Sequence, residues 1–302
     1  MKNTLSDISI LLRRTVRNFS ENDPIMLAGA LAFFTVFAIP PILIMIIFTL
    51  GLFMGQQPAA AEVFSQIEQL IGAASSEVLQ SIVSHYFVEG QNMMQRLLAI
   101  GIFLFASSSF FIIIQHALNR IWNVRPKAKK EVIKIVENRA LSFGIIILMG
   151  LILLLSLATQ TIFLAIRDEL NAFSPLLSPV VLTIFSAFIS LLLGVLSFGL
   201  IFKFLPDVII EWKVVWVGAA ITSFLFLTGK YLIGFALRSS NIQAMYGTAG
   251  SMAIFLLWVF YSSLILFFGA KITQQYAYLF AESIRPKEHA VKIKTVKAID
   301  DT

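Results

Sequence analysis

Six long apolar runs, near Leu27–Met54, Leu97–Ala117, Leu141–Ile166, Leu176–Phe202, Val214–Ala236 and Ala249–Phe280, contain none of the chain's 17 aspartates and glutamates. Each run matches or exceeds the roughly 20 apolar residues that carry a helix across about 30 Å of hydrocarbon. Backbone groups find no water there, so a spanning segment is a helix or part of a closed barrel. The runs lack strict alternation, which selects helices. Only 13% of the residues are charged, against about 25% in a soluble domain. Mean hydropathy is +0.86. These features predict an all-α polytopic membrane protein with six transmembrane helices.

Lysine and arginine set the expected orientation. Lys2, Arg13, Arg14 and Arg17 precede the first run, and Arg120, Arg125, Lys127, Lys129, Lys130, Lys134 and Arg139 lie between the second and third. Lys203 and Lys213 lie between the fourth and fifth, and Arg285, Lys287, Lys292, Lys294 and Lys297 follow the sixth. The other side carries Arg96, Arg167 and Arg238 among more numerous acids. The positive-inside rule puts both termini in the cytoplasm, as an even number of spans requires. The chain has no cysteine, which excludes disulfides and thiolate chemistry. Its first apolar run is too long for the core of a signal peptide.

The domain reading follows. Residues 1–26 form a cytoplasmic amphipathic helix, with Leu5, Ile8, Leu11, Leu12, Val16 and Phe19 on one stripe and arginines opposite. It either rests on the inner leaflet or packs beneath the bundle. Residues 27–280 are the membrane domain. Within it, 56–93 is an extracytoplasmic segment of two short amphipathic helices separated at Gly72–Ser75, and 118–139 is a basic cytoplasmic loop. Residues 281–302 are expected to be a disordered polar tail. In the first span, Pro40 and Pro41 predict a kink or break, because proline lacks the N–H donor and crowds the preceding turn.

Several motifs add specificity: Ala30-Leu31-Ala32-Phe33-Phe34-Thr35 leading to Pro41, Ala117-Leu118-Asn119-Arg120-Ile121-Trp122, and Phe204-Leu205-Pro206. Gly218-Ala219, Gly229-Lys230, Tyr246-Gly247, and Leu257-Trp258 through Gly269-Ala270 follow. In this order and spacing the chain resembles the YihY/BrkB family of bacterial inner-membrane proteins, once labelled ribonuclease BN. The resemblance covers about Asp23 to Gln275 and implies a six-helix membrane fold in the bacterial plasma membrane. Its members have been connected with serum resistance, export of lipid-A-like lipids and cation/proton antiport. The chain departs from the family pattern at Lys271, where an acid is usual, and at Ala38, where serine often stands.

Lys230 is the leading candidate for binding an anionic substrate, because a charge deep in a span is costly without a role or partner. Asn119 and Arg120, beside Trp122 at the inner rim, are candidates for a lipid phosphate, and Tyr246 joins them from its motif. Hydroxyls in Ser107-Ser108-Ser109 and Thr159-Gln160-Thr161 are more simply interhelical glue. Nuclease chemistry needs clustered carboxylates or histidines around metal. His85, His116 and His289 are scattered, and His85 with Glu89 lacks a third ligand. No enzyme activity, metal, cofactor or nucleic-acid partner is expected. The leading functional reading is transport or flipping of an anionic amphiphile such as a phospholipid or glycolipid, with membrane lipids as partners. A non-transporting accessory envelope protein is the alternative and a cation/proton antiporter the third. A lateral cleft between the helices would favour the first reading, and a tightly filled bundle the second.

Overall fold

The computed structural model describes residues 4–86, 110–127, 140–156 apart from Ser142, residue 159, and residues 178–238, 248–280 and 284–293. The helices, in chain order, are α1 (Thr4–Phe19), α2 (Pro24–Met54), α3 (Gln56–Ile71) and α4 (Ala73–Tyr86), then α5 (Phe110–Ile121) and α6 (Phe143–Ser156). α7 (Ser178–Phe204), α8 (Trp212–Arg238) and α9 (Thr248–Phe280) complete the set. Among the described residues, four helices are long and apolar enough to cross a membrane: α2, α7, α8 and α9. α5 and α6 are shorter apolar helices in the regions of the expected second and third spans, and they adjoin undescribed residues.

The polarity of the bundle is that of a membrane protein. Phe33, Phe37 and Phe48 of α2 and Ile184, Phe185 and Phe188 of α7 are exposed. Thr222, Ser223, Ser251 and Ser263 are buried between helices. Apolar side chains outside and small polar ones inside suit hydrocarbon, where close packing and hydrogen bonding replace the hydrophobic drive.

α9 is the central mast. Its 33 residues extend about 50 Å at 1.5 Å per residue, well beyond a hydrocarbon layer. It packs against α1, α2, α4 and α8, and α8 packs on α7. Glycines let these axes approach. A methyl group at Gly218 of α8 would fall 1.8 Å from Thr273 Oγ1 of α9, and one at Gly269 would fall 1.9 Å from Thr222 Oγ1. One at Gly194 of α7 would fall 2.2 Å from Ser223 Oγ. Each glycine thus receives a hydroxyl from the facing helix. Ala219, beside Gly218, is fully buried in the same seam.

Pro40 and Pro41 lie buried inside α2, and the helix continues through both, so the expected break is absent. The carbonyls of Val36 and Phe37 lose their intrahelical donors, but a membrane helix tolerates this when packing surrounds the segment. The two helices expected between residues 56 and 93 are α3 and α4. They turn at Gly55 and Gly72, whose φ values of 87° and 88° favour glycine. They fold over one end of the bundle, where Ser75 donates to Ser251 O at 3.0 Å.

At the other end lie the basic loops, and here the expectation of a disordered tail fails for residues 284–293. β3 (Arg285–Pro286) pairs antiparallel with β2 (Val208–Ile209), and β4 (Ala290–Lys292) pairs antiparallel with β1 (Val124–Pro126). The amides of Lys127 and Ile293 extend the second pairing to His289 O and Asn123 O. Composition hides this clasp because its strands are two or three residues long and supply no periodic signal. α1 lies beneath the bundle: Leu11 and Thr15 are buried, and Phe19 meets Phe268 edge-on at 5.2 Å. Leu12 and Val16 remain exposed beside the arginines, so only one narrow face is packed.

The glycine contacts yield a comparison. Gly218→Ala adds helix propensity worth about 1 kcal/mol but forces overpacking that costs about 1–3 kcal/mol, so melting of the detergent-solubilised protein should shift down. Gly29→Ala, with nothing within 4 Å of the new methyl, should leave the melting temperature unchanged or raise it.

Candidate functional site

Two regions concentrate the features that sequence reasoning nominated. The first is a polar knot at the basic end. The side chain of Asp207, in the loop between α7 and α8, is buried and meets three side chains from two elements, α5 and the tail. Asn119 Nδ2 of α5 donates to Oδ2 at 2.7 Å, and Gln115 Nε2, one turn earlier, donates to Oδ1 at 3.3 Å. His289 Nε2 of the tail lies 3.0 Å from Oδ1. The Asp207 amide donates to Asn119 Oδ1 at 2.7 Å. A buried carboxylate is tolerable when its lone pairs are filled in this way. Asp207 lies outside the six apolar runs, yet it is buried beneath the tail.

Beside this knot, α5 ends and its carbonyls need donors. Asn22 Nδ2 donates to Arg120 O at 3.3 Å and Gln274 Nε2 donates to Ile121 O. Lys271, at the position where the resemblance implies an acid, is buried and donates to Asn22 Oδ1 at 2.9 Å. A cation near a helix C-terminus meets the negative end of its dipole, which suits lysine at this place. Arg120 pairs with Asp23, the left-handed residue that starts α2.

Asn119 therefore bridges helix and loop and is not presented to a lipid, a correction to its nomination as a substrate ligand. Arg120 is exposed and already paired with a carboxylate. Trp122, expected as an interfacial anchor, is buried, and its indole N–H has no acceptor among the described residues. The nominated break at Pro40 and Pro41 is a continuous, buried stretch of helix. Tyr246 and Ser107–Ser109 lie outside the described residues. The described hydroxyls mostly bond back along their own helices, as Thr159 does to Leu155 O.

The second region is a cavity of about 470 Å³ inside the bundle. Ile42 and Ile46 of α2, Phe111 of α5, Met149 of α6, Phe198 of α7, Phe226 of α8 and Trp258 of α9 are among the side chains around it. Its hydroxyls are occupied: Thr35, Ser197, Ser262 and Ser263 each donate to the carbonyl four residues earlier. The wall therefore offers contact to apolar groups and few free donors. Lys230 does not line it. It is half-buried, four residues beyond Phe226, on the α8 face that also carries Thr222, Phe226 and Ile233. Four residues raise it about 6 Å along the axis. It makes no hydrogen bond or ion pair to another described residue. The preceding Gly229 touches the Tyr261 hydroxyl, which brings α8 against α9 at this level.

Long apolar helices, a lipid-facing outer surface and an interior with small polar residues define a polytopic α-helical membrane protein. The sequence profile of the Virulence factor BrkB family matches residues 15–294, and the chain belongs to that family. It is 24% identical to a UPF0761 membrane protein of Mannheimia succiniciproducens over 89% of this chain and 90% of the relative. A UPF0761 membrane protein of Psychromonas ingrahamii is 27% identical over 84% and 83% of the two chains. Some relatives are longer: the match to the one from Ralstonia nicotianae, 25% identical, covers 87% of this chain and 57% of that protein. No solved structure matches this chain.

The knot makes a ranked prediction. Asn119→Ala removes two hydrogen bonds from a buried carboxylate loop and should cost about 3 kcal/mol. Arg120→Gln breaks an exposed pair and should cost less than about 1 kcal/mol. Chemical denaturation in detergent checks the order, and equal effects would contradict the structural role given to Asn119.

Proposed function

We propose that this protein carries or flips an anionic amphiphile, a phospholipid or glycolipid, across the bacterial plasma membrane. The observation that carries the reading is the pairing of an apolar cavity between the helices with Lys230 one helical turn beyond it on the same face. A methylene chain leaving the bilayer for this cavity gains little, because both surroundings are apolar. Selectivity then falls to the head group. An ammonium at the centre of a span costs about 2.5–3.5 kcal/mol and less toward its ends. Lys230 lies in the last third of α8, and an anionic head group beside it would offset the part of that cost that remains. The cavity also favours this reading over a filled accessory bundle.

Lys230→Met separates the roles of charge and packing. Methionine keeps the length and removes the charge, so the purified variant should assemble normally and melt at the same temperature or higher. In proteoliposomes it should lose at least tenfold in the rate at which a fluorescent anionic lipid becomes accessible to an impermeant quencher. An unchanged flipping rate would refute the role of Lys230.

The same reading puts both termini and the clasp in the cytoplasm and α3–α4 outside, in line with the lysine and arginine asymmetry. The chain has no cysteine, so single cysteines can be placed cleanly at Gln57 and Glu288, both exposed. An impermeant maleimide should label position 57 and spare position 288 in spheroplasts. The reverse pattern would invert the topology.

A further inference from the structure

A separate pocket of about 610 Å³ lies at the basic end, where the last turn of α7, the β2 loop, the first turn of α8 and β3 meet. Lys203, Lys213 and Arg285 line it with one carboxylate, Glu211, a formal surplus of two positive charges. Lys203 donates to Ile210 O and lies 5.1 Å over the Trp212 ring, which fixes the ammonium against the aromatic wall. On the bundle's outer side the pocket continues into an apolar rim. Trp212 and Trp216 stack at 5.5 Å, Phe204 meets Trp212 at 6.2 Å, and all three rings are about two-fifths exposed. Ile209 beside them is 60% exposed.

Stacked tryptophans on the first two turns of a spanning helix belong at the boundary between head groups and hydrocarbon. The cations thus stand on the polar side of that boundary and the rings on the apolar side. A soluble anion would use the charges and leave the rings uncovered. A zwitterionic lipid would cover the rings but bring no net negative charge to a lining of three cations and one carboxylate. We propose that this pocket binds the head group of an acidic phospholipid whose acyl chains run along the Trp212–Trp216 face. Basic pockets between spanning helices recognise lipid phosphates in this manner. The inference does not rest on Lys230, farther along α8, or on the cavity between the helices, whose lining shares no residue with this pocket.

The tryptophans supply the probe. The chain has four. Trp122 is buried, and Trp258, which lines the cavity between the helices, is removed by Trp258→Phe. Emission from the full-length W258F protein in neutral detergent micelles then reports quenching at Trp212 and Trp216 by added lipid brominated in its acyl chains. Brominated phosphatidylglycerol should quench at lower mole fraction than brominated phosphatidylcholine. Each basic residue near a membrane surface contributes about fivefold in affinity. Lys213→Gln with Arg285→Gln should therefore weaken the phosphatidylglycerol response roughly 25-fold and leave phosphatidylcholine unchanged. Glu211→Gln should strengthen it. Equal quenching by both lipids, or indifference to all three substitutions, would overturn the proposal. Competition by millimolar glycerol phosphate would reassign the pocket to a soluble phosphate. Lys230→Met should leave this signal intact, so failure here and failure of the transport reading are distinguishable.

Discussion

The buried carboxylate of Asp207 organises the basic end of the molecule. A charge removed from water needs its oxygens filled, and the donors come from α5, through Gln115 and Asn119, and from the tail, through His289. The backbone on either side adds its own bonds, Asp207 N to Asn119 Oδ1 and Lys287 N to Asp207 O. One side chain thereby fixes the exit of α5, the turn from α7 to α8 and the returning tail. The two short strand pairs are held in register beside it, although neither would persist alone at such length.

Above this knot the bundle depends on close approach. In hydrocarbon the helices gain nothing from hiding apolar surface, so contact area and hydrogen bonds decide how they pack. α7, α8 and α9 achieve this through glycines that receive a serine, threonine or tyrosine hydroxyl from the neighbouring helix. The contacts with Gly218 and Gly269 draw α8 and α9 together near the basic end. The cavity opens where large side chains from α2, α5, α6 and α7 face them. Tight seams and an open chamber therefore coexist in one bundle.

Three environments stand out among the described basic residues. Arg120 and Lys271 are tied to neighbouring side chains and serve the ends of α5 and α2. Lys203, Lys213 and Arg285 gather beside an exposed aromatic rim. Lys230 stands in the last third of α8, one turn beyond the apolar cavity. The first group is accounted for by structure alone, and the second and third have the chemistry to meet anionic head groups at different depths.

Hydropathy and charge distribution determined that this chain is a bundle of membrane helices, because water-free surroundings leave the backbone few alternatives. The glycine between α3 and α4, Gly72, was legible as well, since a sharp turn between two amphipathic segments favours a residue with positive φ. Lys230 and Lys271 both stand out in the sequence as cations inside apolar runs, and only the structure shows that Lys271 is held by Asn22. The partnership of Asn119 with Asp207 was not legible: 88 residues separate them, and an amide at a helix end looks the same whether it meets a lipid or a carboxylate. Nor could composition reveal that residues 284–293 pair with two loops, because a polar segment with no periodicity reads as tail. Only tertiary structure decided these points. Burial and hydrogen bonding at this end depend on which distant segments meet, whereas membrane insertion depends on what each segment is made of.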